Sequence, residues 1–193
     1  RHDGALPSPD AGVVPPGTGR VVWSQNFESL AAGAVWRRDP VRVTDGCGPG
    51  GSRCARVSYV SGPTGTPVIE FYEPLPPGLA YTLSYDVFFE PGWEWVMGGK
   101  LPGLGPDNHT TGCDAIEADG WSARLMWGGV REIRTYLYHQ DRRNPCGDVR
   151  NAPMFALTPD RWYAISIYVR VNTAGDRDDG AAELWIDGQK RVD

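Results

Sequence analysis

No apolar run in the 193 residues approaches the length needed to cross a membrane as a helix. No segment of about ten residues or more carries an amphipathic helical stripe, so helix should be scarce. Histidine is sparse and dispersed, at positions 2, 109 and 139, and no C-x-x-C spacing occurs. A zinc site is therefore disfavoured. There is no internal repeat and no visible signal peptide, and the first residue is not Met, so the chain reads as a processed product. The net charge is −5 and the pI near 5.2, which argues against general binding to nucleic acid or to a membrane surface.

Turn-formers and aromatics are abundant instead. Glycine (25) and proline (17) exceed a fifth of the chain, and Trp and Tyr number eight each. Many turns with many aromatics point to short strands, an all-β protein. Residues 1–19, "RHDGALPSPDAGVVPPGTG", read as a Pro/Gly-rich leader or linker, and 20–193 as one domain. Strands are expected at 20–27, 54–60, 67–73, 79–90, 94–101, 121–127, 132–139, 161–171 and 181–187. "AYTLSYDVFFE" alternates, with Tyr81, Leu83, Tyr85, Val87 and Phe89 on one face. "WYAISIYVRV" does the same with Tyr163, Ile165, Ile167, Val169 and Val171, leaving Trp162, Ser166, Tyr168 and Arg170 opposite. Long strands of this kind fit a β-jelly roll, a two-sheet antiparallel sandwich like that of concanavalin-type lectins. The closing "ELWIDGQKRVD" has a turn signal with few residues after it. It implies a short last strand or a sandwich lacking its last strands.

Four cysteines stand at 47, 54, 113 and 146. "CGPGGSRC" closes a short loop as a Cys47–Cys54 disulfide would, and Cys113 with Cys146 would clamp the two ends of a hairpin. Disulfides imply an oxidising, secreted setting.

That hairpin, "WSARLMWGGVREIRTYLYH" (121–139), is unusual. Residues 121–150 hold six arginines against three acidic residues, a positive patch on an acidic chain. It suits an anionic ligand, or else is an ordinary solvated edge. By alternation Trp121, Ala123, Leu125 and Trp127 belong in the core, so Ser122, Arg124 and Met126 face a cleft or solvent. Leu137 is the better core residue of the return strand, which turns Tyr136 and Tyr138 toward the same surface and His139 toward the apolar side. "GGKLPGLGP" (98–106) adds Lys100 beside a Gly/Pro-rich loop, where backbone can approach a ligand closely. Taken singly, each of these residues has a plain structural explanation. An arginine on a strand is more often an ion-pair partner, and paired tyrosines are usually sheet-surface aromatics.

Taken together, "GGKLPGLG", "WSARLMW" and "YLYH" resemble polysaccharide lyase family 14, the alginate and glucuronan lyases of β-jelly-roll fold. "YAISIYVRVN…GAAELWIDGQ" is similar to the family's later strands. The likeness spans roughly residues 80–187. Gly128 departs from it where a basic residue is expected, and so does Pro106-Asp107 where the loop is richer in glycine. The resemblance implies β-elimination on a uronate polymer such as alginate or glucuronan, with an anionic polysaccharide as partner, a monomer, and no cofactor or metal. It implies that Arg124 meets the uronate carboxylate with a two-pronged bond, helped by Ser122. Tyr136 or Tyr138 would move the proton, its phenol lowered by nearby cations, and Lys100 would be base, acid or charge stabiliser. Arg124, Ser122, His109, Arg134 and Trp93 are expected to touch substrate. Trp95, Trp162 and Tyr168 are further candidates for sugar stacking.

A non-catalytic carbohydrate-binding module on the same sandwich is the alternative; it needs aromatics but no phenol–lysine set. A glycoside hydrolase needs two paired carboxyl groups, and the strand acids Asp86, Glu90, Glu94, Glu183 and Asp187 form no compact motif. A structural domain of a larger secreted protein is the remaining reading.

Overall fold

The computed structural model describes residues 19–60, 66 and 70–193, and these fall into two compact units, residues 20–77 and 78–193. Residues 1–18, nearly all of the expected leader, lie outside the described residues, as do 67–69 of the expected strand at 67–73; its remaining residues, 70–73, join no strand.

In the first unit, β1 (Val41–Thr44) pairs antiparallel with β2 (Cys54–Val57), and the Cys47–Cys54 disulfide closes the loop between them. Val41 and Val43 alternate into the interior, while Phe27, Trp36 and Phe71 stack edge to face. The expected strand at 20–27 does not form: Val21, Val22 and Trp23 are exposed and join no ladder among the described residues. Strand propensity alone cannot hold a stretch that has no pairing neighbour.

The second unit is a sandwich of two four-stranded antiparallel sheets. In one, β3 (Ala80–Phe88) pairs with β8 (Trp162–Arg170) from Ala80↔Arg170 to Phe88↔Trp162, and β9 (Ala181–Ile186) and β10 (Gln189–Val192) complete the order β10-β9-β8-β3. The turn into β10 is Asp187-Gly188, both residues left-handed (φ 51° and 74°), as a two-residue hairpin requires. β10 itself is short, four residues long.

The other sheet runs β4 (Gly98–Leu104), β5 (Ser122–Gly128), β6 (Ile133–Tyr138) and β7 (Asp148–Asn151), in that order. Its inner face supplies Ala123, Leu125, Trp127 and Ile133; the facing sheet supplies Tyr163, Ile165, Ile167, Val169, Leu184 and Ile186. Alternation on β5 and β8 thus builds one shared core, where burying each large side chain stabilises by about 1.5–3 kcal/mol. The only helical element among the described residues is a 3₁₀ turn at Pro49–Gly51.

β4 starts at Gly98, later than the expected 94. Trp93 and Trp95 precede it and pack on Phe89, with Trp93 also edge-on to Trp127. The two indoles fill the end of the core instead of joining the ladder. Further along β4 a bulge falls between Leu101 and Gly103, around Pro102, which has no N–H to give to the ladder. At Gly103 a Cβ would lie 2.1 Å from the Ala123 carbonyl oxygen and 2.7 Å from Arg124 Cα, so only glycine lets β4 run this close to β5.

Candidate active site

Register decides which side chains meet on the outer face of the second sheet. Lys100 lies opposite Met126, Gly103 opposite Arg124, Arg124 opposite Tyr136, and Ser122 opposite Tyr138. Arg134 lies opposite Met126 on the other side, and Val149 of β7 continues the row beyond Tyr136. The face proposed from alternation is therefore continuous across four strands.

Four of the expected residues converge. The Arg124 guanidinium carbon stands 5.5 Å from the Tyr136 ring centroid and 5.6 Å from that of Tyr138. Lys100 Nζ approaches Tyr136 from the neighbouring strand, 5.8 Å from its centroid. The two phenol rings meet edge to face, and their hydroxyls share a hydrogen bond of 3.0 Å. Gly147 makes room for the pair: it is left-handed (φ 91°), and a Cβ there would come within 2.9 Å of Tyr138 and 3.0 Å of Tyr136.

Exposure separates them. Lys100 is exposed and Tyr136 half-buried, whereas Tyr138 is 1% and Ser122 3% exposed. The expectation that all of them open to a cleft or solvent is corrected for these last two. The connection between β4 and β5 lies over them. The Ser122 hydroxyl donates to the Thr110 carbonyl at 2.7 Å, and the Cys113 N–H donates to the Tyr138 hydroxyl at 3.1 Å. Arg124 Nη1 donates to Thr111 Oγ1 at 3.0 Å, while Nε and Nη2 are enclosed without an acceptor. The guanidinium thus lies against the tyrosine rings, with Nη1 engaged by the connection and the Nε–Nη2 edge left without a protein acceptor.

Arg142, on the loop after β6, was not singled out from the sequence, although the basic stretch contains it. Its guanidinium lies 5.1 Å from the Tyr138 centroid, and its Nη2 donates to the Asp114 carbonyl at 2.7 Å. The Cys113–Cys146 disulfide joins this loop to the β4–β5 connection, and Gln140 donates to the carbonyls of Ala118 and Gly120. Thr111 was missed as well, and no sequence signal marks it, because the contact depends on how a long loop folds back.

The phenol of Tyr136 is pushed up to about 12. Burial is the main cause, followed by the hydrogen bond and charge interaction with Tyr138; Arg124 and Arg142 pull the other way and lose. The expectation that neighbouring cations win is therefore corrected: desolvation of a half-buried ring outweighs cations that are themselves shared between two phenols.

The remaining expected residues divide. Arg134 shares the face but pairs with Glu132 at 3.4 Å. His109 lies on the β4–β5 connection, its Cβ beside Gly105. Trp93 belongs to the core cluster on the opposite side of the sheet from Arg124, so its assignment to substrate contact is corrected. His139 is half-buried and bonds Asp148 at 3.1 Å, at the end of the sheet and not in the apolar core. Among the described residues no group of three or more His, Cys, Asp or Glu could hold a metal.

The sequence model of polysaccharide lyase 14 matches residues 54–193, which includes the whole of this face. The chain belongs to polysaccharide lyase family 14. No curated protein matches it. Several solved structures do. A variant of alginate lyase Aly36B in complex with an alginate trisaccharide is 28% identical, with a TM-score of 0.57, over 62% of this chain and 53% of that one. The alginate lyase of Aplysia kurodai, named there as PL-14, shares 23% identity and a TM-score of 0.60 over 78% of this chain and 66% of that one. The alginate lyase vAL-1 from Chlorella virus shares 20% identity and a TM-score of 0.51, over 86% and 72%. The last two establish the common fold. The chain spans about half the length of the first two structures it matches, 53% and 54%.

Proposed function

We propose that this family 14 member is a secreted lyase that cleaves a uronate polysaccharide of the alginate type by β-elimination, with Lys100, Arg124, Tyr136 and Tyr138 at the reacting centre. The observation that carries the reading is the convergence of one ammonium, one guanidinium and two hydrogen-bonded phenols on a single sheet face.

β-Elimination has three requirements. The C-5 proton of a uronate is weakly acidic, so positive charge must meet the carboxylate as the enolate-like state forms. A base must take the proton, and an acid must protonate the departing glycosidic oxygen. Lys100 is the exposed cation of the set and pairs with the carboxylate. Tyr136 is the more accessible phenol; it takes the C-5 proton as phenolate and returns it to the leaving oxygen. Arg124, held against both rings, stabilises that transient phenolate through the ring faces and through space. Ser122 anchors the overlying connection through Thr110. Arg134 and His109 line the approach, where Arg134 adds positive charge for a neighbouring uronate. The two disulfides and the anionic substrate fit an extracellular enzyme.

The test is to incubate the protein with alginate and separately with polyglucuronate, and to follow the ultraviolet absorbance of the conjugated double bond that elimination creates. A rising trace with alginate supports the reading. A flat trace with both polymers at neutral and alkaline pH would replace it by a carbohydrate-binding module on the same sandwich.

A further inference from the structure

The β4–β5 connection touches the site at more points than a tie between strands requires. Over five residues, Thr110 accepts from Ser122, Thr111 accepts from Arg124, Cys113 donates to Tyr138, and Asp114 accepts from Arg142. Cys113 is also bonded covalently to Cys146 of the loop that carries Arg142. Every partner belongs to the cationic and phenolic set or flanks it. The backbone here is strained as well. Gly112 and Cys113 are consecutive left-handed residues (φ 69° and 70°), and Cys113 is not a glycine. Such a conformation persists only where the surroundings over-determine it, and it concentrates at functional sites. At Cys113 the disulfide and the bond to the Tyr138 hydroxyl do this.

We propose that Thr110–Asp114 is a strap that aims the reacting groups, with Thr111 a positioning residue for Arg124 and the Cys113–Cys146 disulfide the clasp that keeps the Cys113 N–H on Tyr138. The inference rests on the lyase reading above. Arg124 has two enclosed nitrogens without acceptors, so the Thr111 hydroxyl is the oxygen that fixes the rotation of its guanidinium against the rings. Without that oxygen the charge swings away from the phenol it stabilises. Tyr138, once relieved of the Cys113 N–H, is free to turn and so to loosen the hydrogen bond it shares with Tyr136. The strap therefore acts on the chemical step and leaves sugar binding largely alone.

The experiment compares Thr111→Val, which keeps the shape and removes the hydroxyl, with Thr111→Ser, which keeps the hydroxyl. For each, kcat and KM on alginate are measured beside the thermal midpoint. Thr111→Val should lower kcat about ten- to hundredfold, the effect of losing a hydrogen bond to a charged group, with KM and midpoint near those of the unaltered protein; Thr111→Ser should restore kcat. An unchanged kcat in Thr111→Val overturns the proposal, and so does a loss in both variants that tracks a lowered midpoint. The double variant Cys113→Ser/Cys146→Ser should shift the pH profile of kcat; an unshifted profile removes the clasp from the proposal. If the unaltered protein produces no unsaturated product from any uronate polymer, the lyase reading itself fails; activity that is indifferent to Thr111 defeats the strap alone.

Discussion

The hydroxyls of Tyr136 and Tyr138 lie 3.0 Å apart, but only that of Tyr138 also receives a backbone N–H, from Cys113 at 3.1 Å. The two phenols are therefore unequal. Tyr138 is enclosed and engaged on two sides; Tyr136 keeps an open edge toward Lys100. Tyr136→Phe should then lower kcat by about 10²–10⁴-fold, the range of a positioned proton carrier. Tyr138→Phe should cost less, about ten- to hundredfold, the worth of a supporting hydrogen bond to a charged group. Steady-state kinetics on alginate check the order; equal losses, or a larger loss at Tyr138, would reassign the proton carrier.

The pH dependence follows from the raised phenol of Tyr136, at about 12. A base must be deprotonated, and the phenolate fraction grows with pH up to that value. Activity carried by the Tyr136 phenolate should climb through the neutral and mildly alkaline range with no plateau at the ordinary phenol value of about 10. Initial rates across this range test it. A rate independent of pH there would mean that Tyr136 serves only as acid.

Gly147 separates backbone geometry from chemistry. Gly147→Ala places a methyl within 2.9 Å of Tyr138 and 3.0 Å of Tyr136, at a φ of 91° that alanine resists. The rings must give way and the shared hydrogen bond with them. A loss of activity of about tenfold or more is expected, with a drop in stability of about 1 kcal/mol or more from the backbone alone. Denaturant melts and kinetics on the same preparation measure both.

Asp148 organises the loop that carries Arg142 and Cys146. Its carboxylate accepts from the N–H groups of Arg143 and Asn144, from Asn144 Nδ2 at 2.7 Å and from His139. Burial pushes this carboxyl up, but the hydrogen bonds together hold it below its ordinary value. A carboxyl lowered in the folded state contributes stability above the unfolded value of about 3.9, and that contribution is lost as pH falls through the native one. The thermal midpoint should therefore decline below about pH 4. Asp148→Asn should start lower at neutral pH and decline less steeply, which calorimetry at stepped pH would show.

Much of the architecture was legible because period-2 alternation is unambiguous in long strands. Tyr163, Ile165 and Ile167 of β8 and Leu125 of β5 are buried as the pattern requires. Both cysteine pairs formed as their spacing suggested. Short strands escaped: β7, "DVRN", is polar and lies at a sheet edge, where no alternating apolar face marks it. Trp93 misled because an aromatic beside a turn looks the same whether it stacks on sugar or plugs a core. At the site, alternation placed Ser122, Arg124, Tyr136 and Tyr138 on one face correctly but could not reveal the cover. The burial of Ser122 and Tyr138 comes from residues 110–114, which fold back over the sheet through contacts no local pattern encodes. The rise of the Tyr136 phenol was equally hidden, since it comes from burial and from the hydrogen bond to Tyr138, neither of which alternation reports.

Elimination differs from hydrolysis in its atoms: no water is added, and the new non-reducing end is unsaturated. Mass spectrometry of alginate oligomers released by the unaltered protein, beside Tyr136→Phe and Lys100→Ala at equal concentration, measures this directly. Proton abstraction on the face of Lys100, Arg124 and Tyr136 predicts products one water lighter than the saturated oligomers, abolished or greatly reduced in both variants. Saturated products, or unsaturated ones formed at undiminished rate by both variants, would contradict it.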